Sequence, residues 1–380
     1  MISALARFGL KAKQKREDQS LQKRTKDDEK DYAPWLSGTK GDGTAPQLNG
    51  TRYFSFKELK QCTNNFSENN EIGEGGYGKV YKGYCSNGVV VAIRRAKKGY
   101  SWGRKEFESE IEVLSRVHHK NIVSLVGFCL EQGEQALVYE YMSKGTLRDN
   151  LAGMFLDIIF SFCISFGKVV CIWTGKKRLQ IALDSARGLA YLHELAYPLI
   201  IHRFVKPSNI LLDENLNAKV TNFGLSKLVY EKQTGNVSSQ GKGTLAHVEY
   251  ENFAGTIGYI APEYLQTGLL SENSDVYSFR VVMLELITGR QGCEIGSDET
   301  FLVKEVKRVI DQNDTEYYGL RDMIDHKIVN HLRNAGFRKF VQLALHCVEY
   351  SASDSPSMYE IMTRLDIILL HDGSERTDSC

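Results

Sequence analysis

The stretch "IGEGGYGKVYKG" (72–83), followed by "VVVAIRRA" (89–96), decides the fold of this chain. Gly73, Gly75 and Gly78 are followed by Val80 two residues on. Glycines let backbone amides approach phosphate oxygens closely and adopt positive φ without steric cost. The spacing alone fits a plain Gly-rich hairpin as well as a phosphate loop. Its flanks discriminate. Residues 71–98 predict two strands joined by a Gly-rich turn, whereas a dinucleotide-binding fold places such a loop ahead of a helix.

Outward from that loop, helical periodicity runs through "YFSFKELKQCTNNF" (53–66) and "KEFESEIEVLSRV" (105–117), the latter with Phe107, Ile111, Leu114 and Val117 on one side. "NIVSLVGFCL" and "QALVYEYM" predict strands. After about residue 145 the pattern turns helical, over 178–194, 274–290, 300–311, 335–350 and 357–370. A strand-rich front and a helical back predict an α+β protein with two lobes.

Composition bounds the function. With 380 residues the chain can bury a sizeable core as one two-lobed domain or two ordinary ones. Its 42% apolar and 25% charged content is that of an ordinary soluble globular protein. A net charge of +1 gives no global argument for nucleic acid or for an acidic partner. The eight cysteines are scattered, with no close pair at metal-ligand spacing, which predicts free, mostly buried thiols in a reducing compartment. "MISALARFGLKAKQKR" carries its charge after a short apolar run and has no small-residue cleavage site, so no secretory signal is expected. Its apolar run is too short for a bilayer span, which needs roughly 20 residues. A frayed terminus and a peripheral contact with an anionic membrane surface both remain open there. From Lys11 to about Asn49 the chain lacks periodicity and is read as a disordered tether.

One stretch breaks the pattern. "GMFLDIIFSFCISFGKVVCIW" (153–173) is nearly all apolar, with Asp157 and Lys168 embedded. A buried helix, a membrane-contacting hairpin and residues foreign to the fold compete, and Asp157 near its middle argues against a span. Between two apolar runs, "IIHRFVKPSNILLD" (200–213) has the look of a catalytic loop. Yet the position after His202 and Arg203 is Phe204, which accepts no proton.

Gly-rich loop, "VAIR", a helix carrying Glu110, "HRFVKPSN", "NFGLSK" (222–227) and "APEY" (261–264) occur in the order of the protein kinases, which the chain resembles. "SDVYSFRVVMLELITGR" (274–290) is similar to that family's buried large-lobe helix. "FSFKELKQCTNNFSENNEIGEGGYGKVYKG" and "LSRVHHKNIVSLVGFC" resemble the cytoplasmic part of plant leucine-rich-repeat receptor-like kinases. The resemblance covers about 50–370, apart from the apolar stretch. No leucine-rich repeat occurs, so the receptor's outer domain and membrane span are expected to be missing.

The resemblance implies a two-lobed α+β kinase fold: a tether (1–50), a small lobe with a preceding helix (51–143), a large lobe (144–372) with the apolar insert, and a tail (373–380). It assigns ATP to Gly73, Gly75, Gly78, Val80, Ala92, Arg94, Glu110, Glu140 and Met142, with Tyr139 at the back of the adenine pocket. Lys206 and Thr256 fit the serine/threonine branch. His202, Phe223 and Leu114 match the hydrophobic spine, and Asp275 the buried anchor of the catalytic-loop backbone. Ser238, Ser239, Thr244 and Thr256 lie in the activation segment, as phosphate acceptors or ordinary loop hydroxyls.

Departures fall on the catalytic positions. Arg94 replaces the family's lysine, keeping charge but exchanging a compact ammonium for a planar fork. Asn222 replaces the aspartate that binds Mg²⁺, and the second metal ligand, Asn209, is also neutral, so no carboxylate remains. Phe204 replaces the base and is read as a core filler. Losing a positioned base costs roughly 10²–10⁴-fold, and weakening the metal removes charge stabilisation as well. Two further departures concern stability. Ser355 stands where an arginine would pair with Glu263, and a buried lone carboxylate costs about 3–5 kcal/mol. Arg280 replaces a small residue in a close-packed helix. The 153–173 stretch sits where the family has a short polar connection, and is read as foreign to the fold.

The leading reading is a cytoplasmic pseudokinase, with the inner face of the plasma membrane as an optional location. It would bind ATP weakly, with Mg²⁺ in doubt, and partner other receptor-like kinases or signalling proteins rather than nucleic acid. An active serine/threonine kinase with impaired turnover, and a poorly folding product of a decaying gene, are the alternatives.

Overall fold

The computed structural model describes residues 51–86, 88–97, 103–131, 133–153, 174–230, 246–247, 255–294, 300–311, 313–314, 319–331, 334–349 and 355–374. The tether, the activation-segment residues Ser238, Ser239 and Thr244, and the apolar stretch beyond Gly153 lie outside the described residues. Two compact units emerge: the described residues up to Arg116 with Ser124–Tyr141, and Val117–Val123 with those from Met142 on.

The first unit is a six-stranded sheet with two helices. In chain order come β1 (Arg52–Tyr53), α1 (Phe56–Cys62), β2 (Glu71–Gly75), β3 (Gly78–Tyr84), β4 (Val90–Arg95), α2 (Gly103–Leu114), β5 (Leu125–Glu131) and β6 (Glu134–Glu140). The strand order is β1-β5-β6-β4-β3-β2, antiparallel except where β1 runs parallel to β5. The span 71–98, expected as two strands, contains three. The break lies after β3, where Gly88 takes a φ of 80°, and β4 is the strand carrying "VAIR". Alternation in β4 sends Val91 and Ile93 into a core with Phe56, Leu59 and Val138. α1 starts with a capping box: Glu58 N–H donates to Ser55 Oγ (3.2 Å), and Ser55 N–H donates to Glu58 Oε2 (2.8 Å).

The second unit contains α3 (Leu147–Leu151), α4 (Gly175–Ala190), β7 (Leu199–Ile201), β8 (Ile210–Leu212), β9 (Ala218–Val220), β10 (Lys227–Val229), β11 (Ala246–His247), α5 (Pro262–Thr267), β12 (Leu269–Leu270), α6 (Glu272–Thr288), β13 (Cys293–Glu294), β14 (Thr300–Phe301), α7 (Leu302–Val309), α8 (Ala335–Glu349) and α9 (Met358–Ser374). α9 runs past residue 373, where a tail was expected. Four antiparallel strand pairs form: β7–β10, β8–β9, β11–β12 and β13–β14. α4 packs against α6, α9 and β9. α6 is buried almost all round, as an apolar helix without a polar stripe must be.

Two stability expectations change. Glu263, in the first turn of α5, is only half-buried, so the penalty for a dry lone carboxylate does not apply in full. Arg280 is accommodated within α6 at 5% exposure rather than excluded by crowding. Among the described residues no helix is long and apolar enough to cross a membrane.

Candidate functional site

In the first unit the Gly-rich turn joins β2 to β3, with Gly75 opposite Gly78. Gly78 has a φ of 133°, and a Cβ there would sit 2.0 Å from the Arg95 carbonyl oxygen. The β3–β4 ladder therefore requires glycine at that position. Gly73, Gly75 and Gly76 face open space, so their backbone is free to meet a ligand. Val80 and Ala92 are half-buried, on β3 and β4.

Arg94 sits across the ladder from Val80. Its Nη2 donates to Glu110 Oε2 at 2.5 Å, with 16% of the Arg94 side chain and none of the Glu110 side chain exposed. Tyr139 O–H donates to the other carboxylate oxygen at 2.7 Å. The guanidinium lies over the rings of Tyr77 (5.4 Å) and Tyr139 (5.7 Å). Burial opposes the Arg94 charge, but Glu110 outweighs it and pushes the pKa up. Burial and Glu110 likewise push the Tyr139 hydroxyl up, so it stays a donor. The role of Tyr77 went unread: an aromatic between loop glycines announces nothing until β4 brings a cation beneath it. Glu140 N–H donates to the Ser124 carbonyl at 3.1 Å, and Ser124 N–H donates to the Glu140 carboxylate at 2.7 Å.

In the second unit β7 feeds the 202–209 loop and β8–β9 returns the chain to Asn222. Asp275, fully buried on α6, accepts the backbone N–H of His202 and of Arg203, each at 2.7 Å, and His193 Nε2 at 2.9 Å. Burial works against its charge, yet these donors hold its pKa below the ordinary value. His202 donates from Nε2 to the Thr221 carbonyl (3.0 Å) and meets the Phe223 ring edge-on at 4.9 Å. Arg203 (φ 67°) and Asn222 (φ 72°) hold left-handed backbone, uncommon outside glycine and frequent at functional sites.

Phe204 is not the core filler expected of it. It is half-buried, and the Lys206 ammonium stands 4.2 Å from its ring. Lys206 Nζ also donates to Thr256 Oγ1 at 2.9 Å. Burial, with Arg148 adding to it, lowers the Lys206 pKa. Asn209 Nδ2 donates to the Phe204 carbonyl (2.6 Å), and its Oδ1 accepts from Asn222 Nδ2 (3.2 Å). Asn222 Oδ1 is buried without a hydrogen-bond partner. Met142 is buried, its carbonyl taken by Gly145 N–H.

Residues 66–365 match the family described as protein tyrosine and serine/threonine kinase. The chain belongs to the protein kinases. It is 49% identical over 339 residues to "Probable leucine-rich repeat receptor-like protein kinase" of Arabidopsis thaliana, covering 89% of this chain and 33% of that protein. It is 40% identical over 321 residues to "Probable LRR receptor-like serine/threonine-protein kinase" of the same plant, covering 84% and 30%. A "Proline-rich receptor-like protein kinase" of that plant is 39% identical over 333 residues, covering 85% and 42%. The chain thus spans about a third of the length of the first two relatives. Its homologues are plant receptor-like kinases, and the two lobes of a kinase, sheet-rich and helical, are those of this α+β chain.

Kinases generally use ATP and Mg²⁺. The open Gly73 and Gly75 backbone and the Arg94 cation fit a phosphate chain. The metal donor set does not fit a hard dication, which wants anionic oxygens. One amide oxygen is engaged by the other amide, and both groups are neutral. Among the described residues no cluster of three or more His, Cys, Asp or Glu side chains could hold a metal.

Proposed function

We propose that this kinase-fold chain is a pseudokinase, a signalling partner that binds or scaffolds active receptor-like kinases and carries out little or no phosphoryl transfer. The observation behind this reading is the neutral catalytic loop. Phe204 stands where a base would accept the substrate proton, and Asn209 and Asn222 bond to each other instead of presenting carboxylates. Phosphoryl transfer rests on positioning and charge neutralisation, and both are weakened together. Nucleotide binding persists weakly, through the Gly73–Gly75–Gly78 loop and Arg94 held by Glu110. His202, Lys206 and Asp275 preserve the loop's shape without its chemistry.

An impaired but active serine/threonine kinase is the second reading, favoured by the intact Arg94–Glu110 pair and the Lys206–Thr256 bond. Titrating purified protein with ATP, with and without Mg²⁺, separates the two. The pseudokinase reading expects weak binding that is nearly independent of the metal. A strong Mg²⁺-dependent rise in Tm with ATP would mean that the site is a working one.

A further inference from the structure

We propose that Cys62 and Cys85 form a modification site: two facing thiols that close to an intramolecular disulfide by exchange with a low-molecular-weight disulfide such as oxidised glutathione. The bond would pin α1 to the end of β3 and enclose the Gly-rich turn in a covalent loop.

The sulfurs lie 3.5 Å apart, although 23 positions separate the residues in sequence. Cys62 ends α1 and Cys85 directly follows β3. Both are half-buried and pack on the core around Phe56, Leu59 and Ile93. Gly83 lets the helix seat on the strand: a Cβ there would lie 2.7 Å from Ile93 Cδ1 and 3.5 Å from Cys62 Cβ. A tight turn fixes the other partner, with Cys85 N–H donating to the Val89 carbonyl and Gly88 N–H to the Cys85 carbonyl, each at 2.9 Å. A bonded pair needs its sulfurs about 2 Å apart, so closure draws these two together by about 1.5 Å. Cys129 sits in the same core but is fully buried, so a reagent in solution does not reach it.

The two thiols divide the steps. Burial, reinforced by Cys85, pushes the Cys62 thiol up to about 11, which keeps it protonated until late. Cys85 sulfur, its proton first given up to the buffer, attacks oxidised glutathione, and the glutathione thiolate that leaves takes a proton back from the buffer. Cys62 sulfur then displaces the second glutathione from Cys85, its proton passing to that leaving thiolate. Two cysteine thiols are oxidised and one glutathione disulfide is reduced to two thiols. The closed loop spans all of β2 and β3, hence Gly73, Gly75 and Gly78, so the site ties the phosphate-facing turn to the redox state of the thiol pool.

The test uses the full chain in glutathione buffers from fully reduced to fully oxidised, quenched by alkylation and digested without reduction. The expected result is a peptide pair cross-linked through Cys62 and Cys85, with Cys129 still reduced and Tm several degrees higher. The cross-link disappears in Cys62→Ser and in Cys85→Ser. Free thiols in the fully oxidised buffer, stable glutathione adducts at either residue, or pairing with other cysteines would overturn the site. A cross-link that leaves Tm unchanged would overturn the pinning. The measurement on the unmodified chain stands even if neither serine variant folds.

Discussion

Lys206 has a phenyl ring where a kinase would give it a carboxylate for a neighbour. It keeps its place through Thr256 and through a cation–π contact worth about 0.5–1 kcal/mol or more when desolvated. On the proposed reading the loop keeps its shape but not its proton chemistry. The departures themselves are legible in the sequence, because motif position alone marks Phe204, Asn222 and Arg94. What the side chains do instead was not legible. The mutual bond of Asn209 and Asn222, the ring under Lys206 and the place of Tyr77 over Arg94 depend on distances that no spacing encodes. Restoring the groups tests whether they act as a unit. Phe204→Asp supplies a base with no neutralised phosphate to act on, and Asn222→Asp supplies a metal ligand without a base. The double variant should exceed the product of the singles, within the roughly 10²–10⁴-fold worth of a positioned base. Transfer of labelled phosphate to a basic substrate measures this. Equal turnover by the unmodified chain and the double variant would rule out the pseudokinase reading.

At the scale of elements, α6 shows how much one helix carries. Asp275 near its start anchors the 202–203 backbone, and Glu285 near its end holds the loop that follows. Glu285 accepts from the Tyr259 hydroxyl and from Gly292 N–H, the latter at 2.7 Å. Burial pushes its pKa from the ordinary 4.5 up to about 7, against the pull of those two donors. The folded state thus holds this proton more tightly than the unfolded chain. The associated stabilisation is complete below the unfolded value and is lost as pH rises through about 7. Glu285→Gln, which cannot titrate, should flatten the fall in urea midpoint between about pH 4.5 and 7. If both proteins lose stability equally over that window, another group is responsible. The approximate span of α6, expected at 274–290, was readable from its apolar content and falls at Glu272–Thr288. The placing of Arg280 was not: the same flank holds Tyr277, whose hydroxyl is raised by burial and then by Glu263, with Arg280 opposing. A sequence rule that expects a small residue there sees a clash, whereas the fold gives Arg280 a buried seat.

Across the whole molecule, the competing idea of a decaying, poorly folding product meets two well-formed cores and buried charges with partners. Among the described residues Arg178 is the largest fully buried side chain. Its Nη2 donates to Asp325, whose carboxyl stays below the ordinary range although burial opposes it, and its Nη1 donates to the Leu286 carbonyl at 2.9 Å. One pair thus ties α4 to the end of α6 and to the 325 turn, joining segments far apart in sequence. Nothing in "GKKRLQIALDSARGLAYLHE" announces that Arg178, rather than its neighbours Lys176 or Lys177, turns inward. That follows from the packing of α4 against α6 and α9. Breaking a buried pair leaves a lone charge and costs about 3–5 kcal/mol, whereas replacing both members with apolar residues is often nearly neutral. Asp325→Ala should therefore lower stability by about that amount, while Arg178→Met with Asp325→Leu recovers most of it. Chemical denaturation monitored by two probes measures both. A single cooperative transition with this pattern is what a genuinely packed large unit produces. Non-coincident transitions in the unmodified chain, or an Asp325→Ala variant as stable as the parent, would instead favour the decaying-product reading.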